Sequence, residues 1–227
     1  MKKDKKKQIL ETLAVKSGIK QVVYDKTYSI YSEIKKILEE LVEEYNKELP
    51  VDDERIKLIY KERGQFEAEI KVAGDLLIFS MHTNTFEFDR EHKVWKMDYV
   101  KENPLNSYCG MINVYNFLSD SFKYNRLEDL GYLIARIFVN YENKFFVEGK
   151  RQLGVLYDQF GEKELSKDVL KEIIQTAILY SLEFDLLVPP YDATKIASVA
   201  QLNDKIEYSR MKTGKRLGFK FNSDDID

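Results

Sequence analysis

Hydrophobic positions near the start of the chain recur with a helical period. Between Tyr24 and Leu49 they fall at Ile30, Ile34, Ile37, Leu38, Leu41, Tyr45 and Leu49, the spacing of one buried helix face. Glu39, Glu40, Glu43 and Glu44, with Lys35, Lys36 and Lys47, fill the remaining positions. The pattern predicts helix over 5–48, with Gly18 dividing off a shorter segment at 5–17 and Pro50 as the stop.

The period then changes to two. Ile56, Leu58 and Tyr60 alternate with charged residues, as do Phe66, Ala68, Ile70 and Val72. Leu76, Ile78, Ser80 and His82 form a third run, Phe86 and Phe88 a fourth, and Val94, Trp95, Met97 and Tyr99 a fifth. Turn residues at 63–64, 73–74, 83–84 and 90–91 leave links that join only antiparallel neighbours. An antiparallel β-meander of about five strands is therefore expected over 54–100.

Beyond the linker 101–106, the run from Met111 to Leu118 suits a strand better than a helix. The spacing of Leu127, Leu130, Ile134, Ile137, Phe138 and Tyr141 predicts a helix over 126–141, with Asn125 as its N-cap. A short strand is expected at 144–147. From about 151 the pattern is helical again, most clearly over 165–184, where Ser166 is the expected N-cap. Pro189 and Pro190 stop it, and Asp192 caps a short helix over 193–202. Grouped rather than alternating elements give an α+β fold in one domain, an antiparallel sheet packed against long N-terminal and C-terminal helices. Its parts are a helical segment 1–50, sheet plus one helix over 51–149, helices over 150–204, and a basic tail over 205–227.

Composition sharpens this picture. The 227 residues are 44% hydrophobic and 33% charged, enough for a core and too apolar for a disordered chain. Ten glycines and four prolines point to long regular elements. One cysteine excludes an intrachain disulfide framework and a thiolate zinc cluster. The net charge of −3 hides a distribution, with lysines over 2–7, acids around 39–54 and a basic run over 205–220. The N-terminal lysines are not followed by the apolar run of a signal peptide, and no stretch approaches the ~20 apolar residues of a membrane span. A cytoplasmic protein without a membrane partner is the expectation.

Candidate chemistry is sparse. On the expected meander, His82 and His92 lie at opposite ends of the fourth strand, roughly 13 Å apart, too far to share a metal ion. Cys109 would need a base beside it to act as a nucleophile, and free cysteine is commonly a buried apolar residue. Glu67, Glu69 and Lys71 share one strand face and, with Asp52 or Asp53, resemble the loose Asp…Glu-x-Lys spacing of metal nucleases. The same spacing is what the solvent face of any amphipathic strand carries. Glycine-rich phosphate cradles, the nucleophile elbow and zinc-protease motifs are absent. Lys205, Arg210, Lys212, Lys215, Arg216 and Lys220, interleaved with Tyr208, Phe219 and Phe221, suit either a solvated tail or nucleic-acid contact by charge and stacking.

The residues favour binding over catalysis. The expectation is a non-enzymatic binding or protein-interaction module that holds a partner protein, a small ligand or its own copy, with no cofactor. A nucleic-acid-associated protein using both basic termini is one alternative. A metal-dependent hydrolase or nuclease-like enzyme built on Glu67, Glu69, Lys71 or Cys109 is the other.

Overall fold

A computed structural model of the chain describes residues 4–127 and 129–184. The chain opens with α1 (Lys5–Thr12), one wide π turn (Leu13–Ser17) and α2 (Gly18–Glu48), which follow without a break. Gly18 therefore does not separate two helices. The turn before it is only loosened, with the Gly18 N–H bonding back to Leu13 O.

Six strands follow: β1 (Ile59–Glu62), β2 (Glu67–Val72), β3 (Asp75–Met81), β4 (Cys109–Leu118), β5 (Tyr132–Asn140) and β6 (Phe145–Gly149). They pair antiparallel in sequence order, so the sheet is a pure meander of six strands rather than five. Short helices α3 (Asp98–Glu102), α4 (Ser119–Lys123) and α5 (Gln152–Val155) lie in the connections, and α6 (Lys167–Glu183) closes the described chain. No helix among the described residues is long and apolar enough to cross a membrane.

One face of the sheet carries the main core. Val23, Ile30, Tyr31, Ile34, Ile37, Leu38 and Leu41 of α2 are buried, as the helical period requires. Most of them form one cluster with Ala68, Ile70, Leu77, Phe79, Ile112, Val114, Ile137 and Val139 of the sheet and Leu170, Ile173, Ile174 and Ala177 of α6. The Tyr31 hydroxyl donates to Phe79 O at 3.2 Å, which satisfies the one polar atom of that buried ring. Asn46 fixes the entry to β1, donating to Leu58 O at 2.8 Å and accepting from Leu58 N at 2.9 Å. Ser166 caps α6 as expected, its hydroxyl accepting from Val169 N.

Three further expectations fail. Residues 83–99 contribute no strand to the sheet; they belong to an insert, 82–108, between β3 and β4, with a 3-10 turn at Lys93–Lys96 followed by α3. Phe88, Val94, Trp95, Met97, Tyr99 and Val100 fold this insert over the second face of the sheet, against Cys109, Phe138, Phe146 and Phe160. Residues 132–140 are β5, not a helix. Covered by α2 on one side and the insert on the other, β5 buries Ile137 and Phe138 on opposite faces, so its apolar residues do not alternate. Asn125 is not a cap but a turn residue with φ 49°. The expected helix over 193–202 and the basic tail lie outside the described residues.

The insert is closed by polar contacts. Asn140, fully buried, donates to Tyr99 Oη at 2.7 Å, and Tyr99 donates to Glu142 Oε2 at 2.5 Å. Tyr141 donates to Asn106 Oδ1 at 2.8 Å.

Candidate functional site

Glu67, Glu69 and Lys71 point away from the main core, because Ala68, Ile70 and Val72 between them are buried. Both carboxylates face Arg63, at 2.5 Å for Glu69 and 3.7 Å for Glu67, and the guanidinium lies 4.5 Å from the centre of the Phe122 ring. Asp52 and Asp53, the upstream acids of the nuclease-like spacing, bind Lys57 at 2.8 Å and Arg55 at 2.5 Å. Hydrogen bonds from Arg55 hold the Asp53 carboxyl down at about 2. These acids are thus engaged by neighbouring cations. Among the described residues no group of three or more His, Cys, Asp or Glu side chains is placed to hold a metal ion.

Cys109 begins β4 beneath the insert and is fully buried beside Phe138 and Phe146. Burial pushes its thiol well above the ordinary range, which suppresses the nucleophilic thiolate.

The histidines do not bracket a strand as expected, because 83–91 is part of the insert. His82 accepts from Asn84 N at Nδ1 (3.1 Å) and rests edge-on against Phe86. His92 accepts from Val94 N at Nδ1 (3.3 Å), so its Nε2 carries the proton that faces Glu148 Oε1 at 3.0 Å. Glu148 Oε2 in turn accepts from Arg136 at 2.5 Å. This chain of contacts clamps the insert to β5 and β6.

The strand register reveals a polar row that the sequence concealed. Glu67, Ser80, Asn113, Arg136 and Glu148 are successive cross-strand neighbours over β2 to β6. They are scattered along the chain, and only the pairing of five strands brings them into line. Its Arg136–Glu148 end is part of the clamp.

The most distinctive exposed element is the start of the long helix. No residue of α1 or of the wide turn is buried, and the first buried residue of α2 is Val23. Ile9, Leu10, Leu13 and Ala14 have the i, i+1, i+4, i+5 spacing of one helix face. The three large side chains are 58%, 56% and 56% exposed. Lys5, Lys6 and Lys7 lie on the first turns, while Lys16 and Lys20 turn back towards the body, within 5.5 Å of the Tyr108 ring centre. The Thr85 hydroxyl donates to Lys20 O at 3.1 Å and fixes the root of this arm. Sequence patterning gave the helix and its lysines. It did not give the point at which the helix leaves the sheet, which depends on the sheet's width.

Lys205, Arg210, Lys212, Lys215, Arg216 and Lys220 lie outside the described residues. No protein-family model matches the chain, and no curated protein and no solved structure matches it.

Proposed function

We propose that this protein is a protein-interaction module whose docking element is the N-terminal helical arm, residues 5–22. The observation that carries this reading is the exposed apolar face of Ile9, Leu10 and Leu13 on a helix that takes no part in the chain's own core. Large apolar side chains left exposed on a helix gain most from a partner that covers them. The body behind it, a sheet covered on one face by α2 and α6 and clamped on the other by the insert, serves as a rigid mount.

The test compares the wild-type chain with the double variant Leu10→Glu/Leu13→Glu. Each is immobilised and exposed to a cell extract, and the retained proteins are quantified by mass spectrometry. The variant should keep the wild-type unfolding temperature, because neither position is buried, and should lose the proteins the wild type retains. Each lost protein is then titrated in purified form. Identical retained sets for the two proteins would refute the reading. Retention that disappears on nuclease treatment would instead favour the nucleic-acid alternative through Lys5, Lys6 and Lys7.

A further inference from the structure

The two edges of the sheet differ. At β6 the outer edge is closed, with Val147 N donating to Tyr157 O at 2.9 Å and Lys144 bridged to Glu164. At β1 it is open over a short window. Arg63 N donates to Glu67 O, so 59, 61 and 63 bond inward to β2, and the N–H and C=O groups of Leu58, Tyr60 and Glu62 turn outward. Side chains of α2 close both ends of this row. Asn46 bonds both outward groups of Leu58, at 2.8 and 2.9 Å, and Lys35 Nζ donates to Gly64 O at 3.1 Å. Between them, nothing among the described residues bonds the outward groups of Tyr60 and Glu62, a gap that only a neighbouring strand fills well.

The flank of α2 beside this window is acidic. Glu39 acts with Glu62 on the Tyr60 hydroxyl, and Glu43 lies one turn further along the helix. On the opposite flank Glu33, Glu40 and Glu44 are bound by Lys167 and Lys171 of α6. Glu39 and Glu43 have no such cation among the described residues, and Lys35 on their own flank is already held by Glu62 at 3.2 Å. The other face of β1 carries Ile59 and Lys61, with Ile59 50% exposed. The edge therefore asks for an extended segment with cations on one face and apolar side chains on the other.

We propose that the window is filled by the chain's own residues 216–221, added to β1 as a further strand. They lie outside the described residues, and their sequence is the complement of the edge. Arg216, Gly218 and Lys220 alternate with Leu217, Phe219 and Phe221, and in a strand the two sets take opposite faces whichever way it runs. One register sets the cations beside Glu39 and Glu43 and the apolar set beside Ile59. A slip of one residue brings Phe219 against the acids and loses both contacts, so charge fixes the register. The chain is long enough. Six strands at about 4.8 Å spacing span roughly 24 Å, and the about 30 residues between Phe184 and Arg216 can extend to roughly 100 Å. Main-chain bonds give an added strand its affinity, and the alternating side chains give it selectivity. The pairing closes the open edge and holds the end of the basic run against the body.

The test is amide hydrogen exchange of the full chain, read residue by residue by NMR. The Lys61 N–H, turned inward to Glu69, is the internal reference and should exchange slowly in every variant. In the wild type the Tyr60 and Glu62 N–H groups should exchange at least about tenfold more slowly than in Gly218→Pro/Phe219→Pro, which removes a donor towards β1 whichever way the strand runs. Arg216→Glu/Lys220→Glu should release the two amides in the same way, as should Glu39→Lys/Glu43→Lys, whose positions are exposed. The two charge reversals combined should restore slow exchange. Fast exchange at Tyr60 and Glu62 in the wild type overturns the proposal. Protection that survives the two prolines overturns it too, and gives the edge to a second copy if it rises with protein concentration. Failure of the combined reversal to restore protection also overturns it. None of these outcomes depends on the N-terminal arm.

Discussion

Gly110 shows how tightly the long helix is seated on the sheet. It lies near the start of β4, opposite Val139 of β5, and α2 crosses directly above it. A Cβ on Gly110 would fall inside the Thr27 hydroxyl and lie 2.7 Å from Thr27 Cβ and 2.8 Å from its Cγ2. Thr27 is fully buried, and its hydroxyl donates to Val23 O at 2.7 Å. Being β-branched, it has few other rotamers to adopt. Gly110→Ala must therefore lift the helix or distort β4, and overpacking of this kind costs about 2–4 kcal/mol. For a chain of this size that is a fall in unfolding temperature of roughly 5–15 °C. The assay is urea unfolding followed by circular dichroism. Thr27→Ala removes the hydroxyl and the Cγ2 but leaves the close Cβ. Added to Gly110→Ala, it should restore part of the loss, with a coupling of about 1 kcal/mol or more. A Gly110→Ala protein within about 0.5 kcal/mol of wild type, or strict additivity of the two substitutions, would refute the reasoning.

Two further outcomes follow from the same packing. The Cys109 thiol, buried and raised, should resist a thiol reagent at pH 8 in the native protein and react fully only after denaturation; rapid native labelling would show that the insert opens freely. Tyr60 and Tyr157 are both pushed up to about 12, mainly by burial, with Glu62 and Glu39 adding to the first and Glu172 to the second. Since an unfolded tyrosine ionises near 10, their contribution to stability is complete below about pH 10 and is lost as pH rises towards 12. Phenolate absorbance and circular dichroism, recorded together, should show these tyrosines ionising late and with unfolding. Ionisation of all tyrosines near pH 10 in a still-folded protein would contradict this.

The buried face of α2 was legible because a helix on the surface of a sheet has one apolar side, and the i, i+3, i+4 spacing of Ile30, Ile34, Ile37, Leu38 and Leu41 states that directly. The alternation in β2 was legible for the same reason, since Glu67, Glu69 and Lys71 stay outside the main core. The period fails where both sides are covered. In β5 it imitates a helix, because Ile137 faces α2 while Phe138 faces the insert. In the insert it imitates strands, because Phe86 and Phe88 alternate without a neighbour strand to pair with beyond the single bridge from Phe86 to Cys109.

The candidate sites divide along the same line. Cys109 could be read from sequence as a buried thiol or as a nucleophile, and the packing of the insert decides for burial. His92, Arg136 and Glu148 are far apart in sequence, and the strand register together with the fold of the insert makes them one clamp. The lysines, the helix and the leucines of the arm were all visible in the chain by itself. Local periodicity fixes which residues share a face of an element. What covers that face depends on contacts between segments distant in the chain, and those contacts decide that the arm extends beyond the sheet while the rest of the same helix is buried.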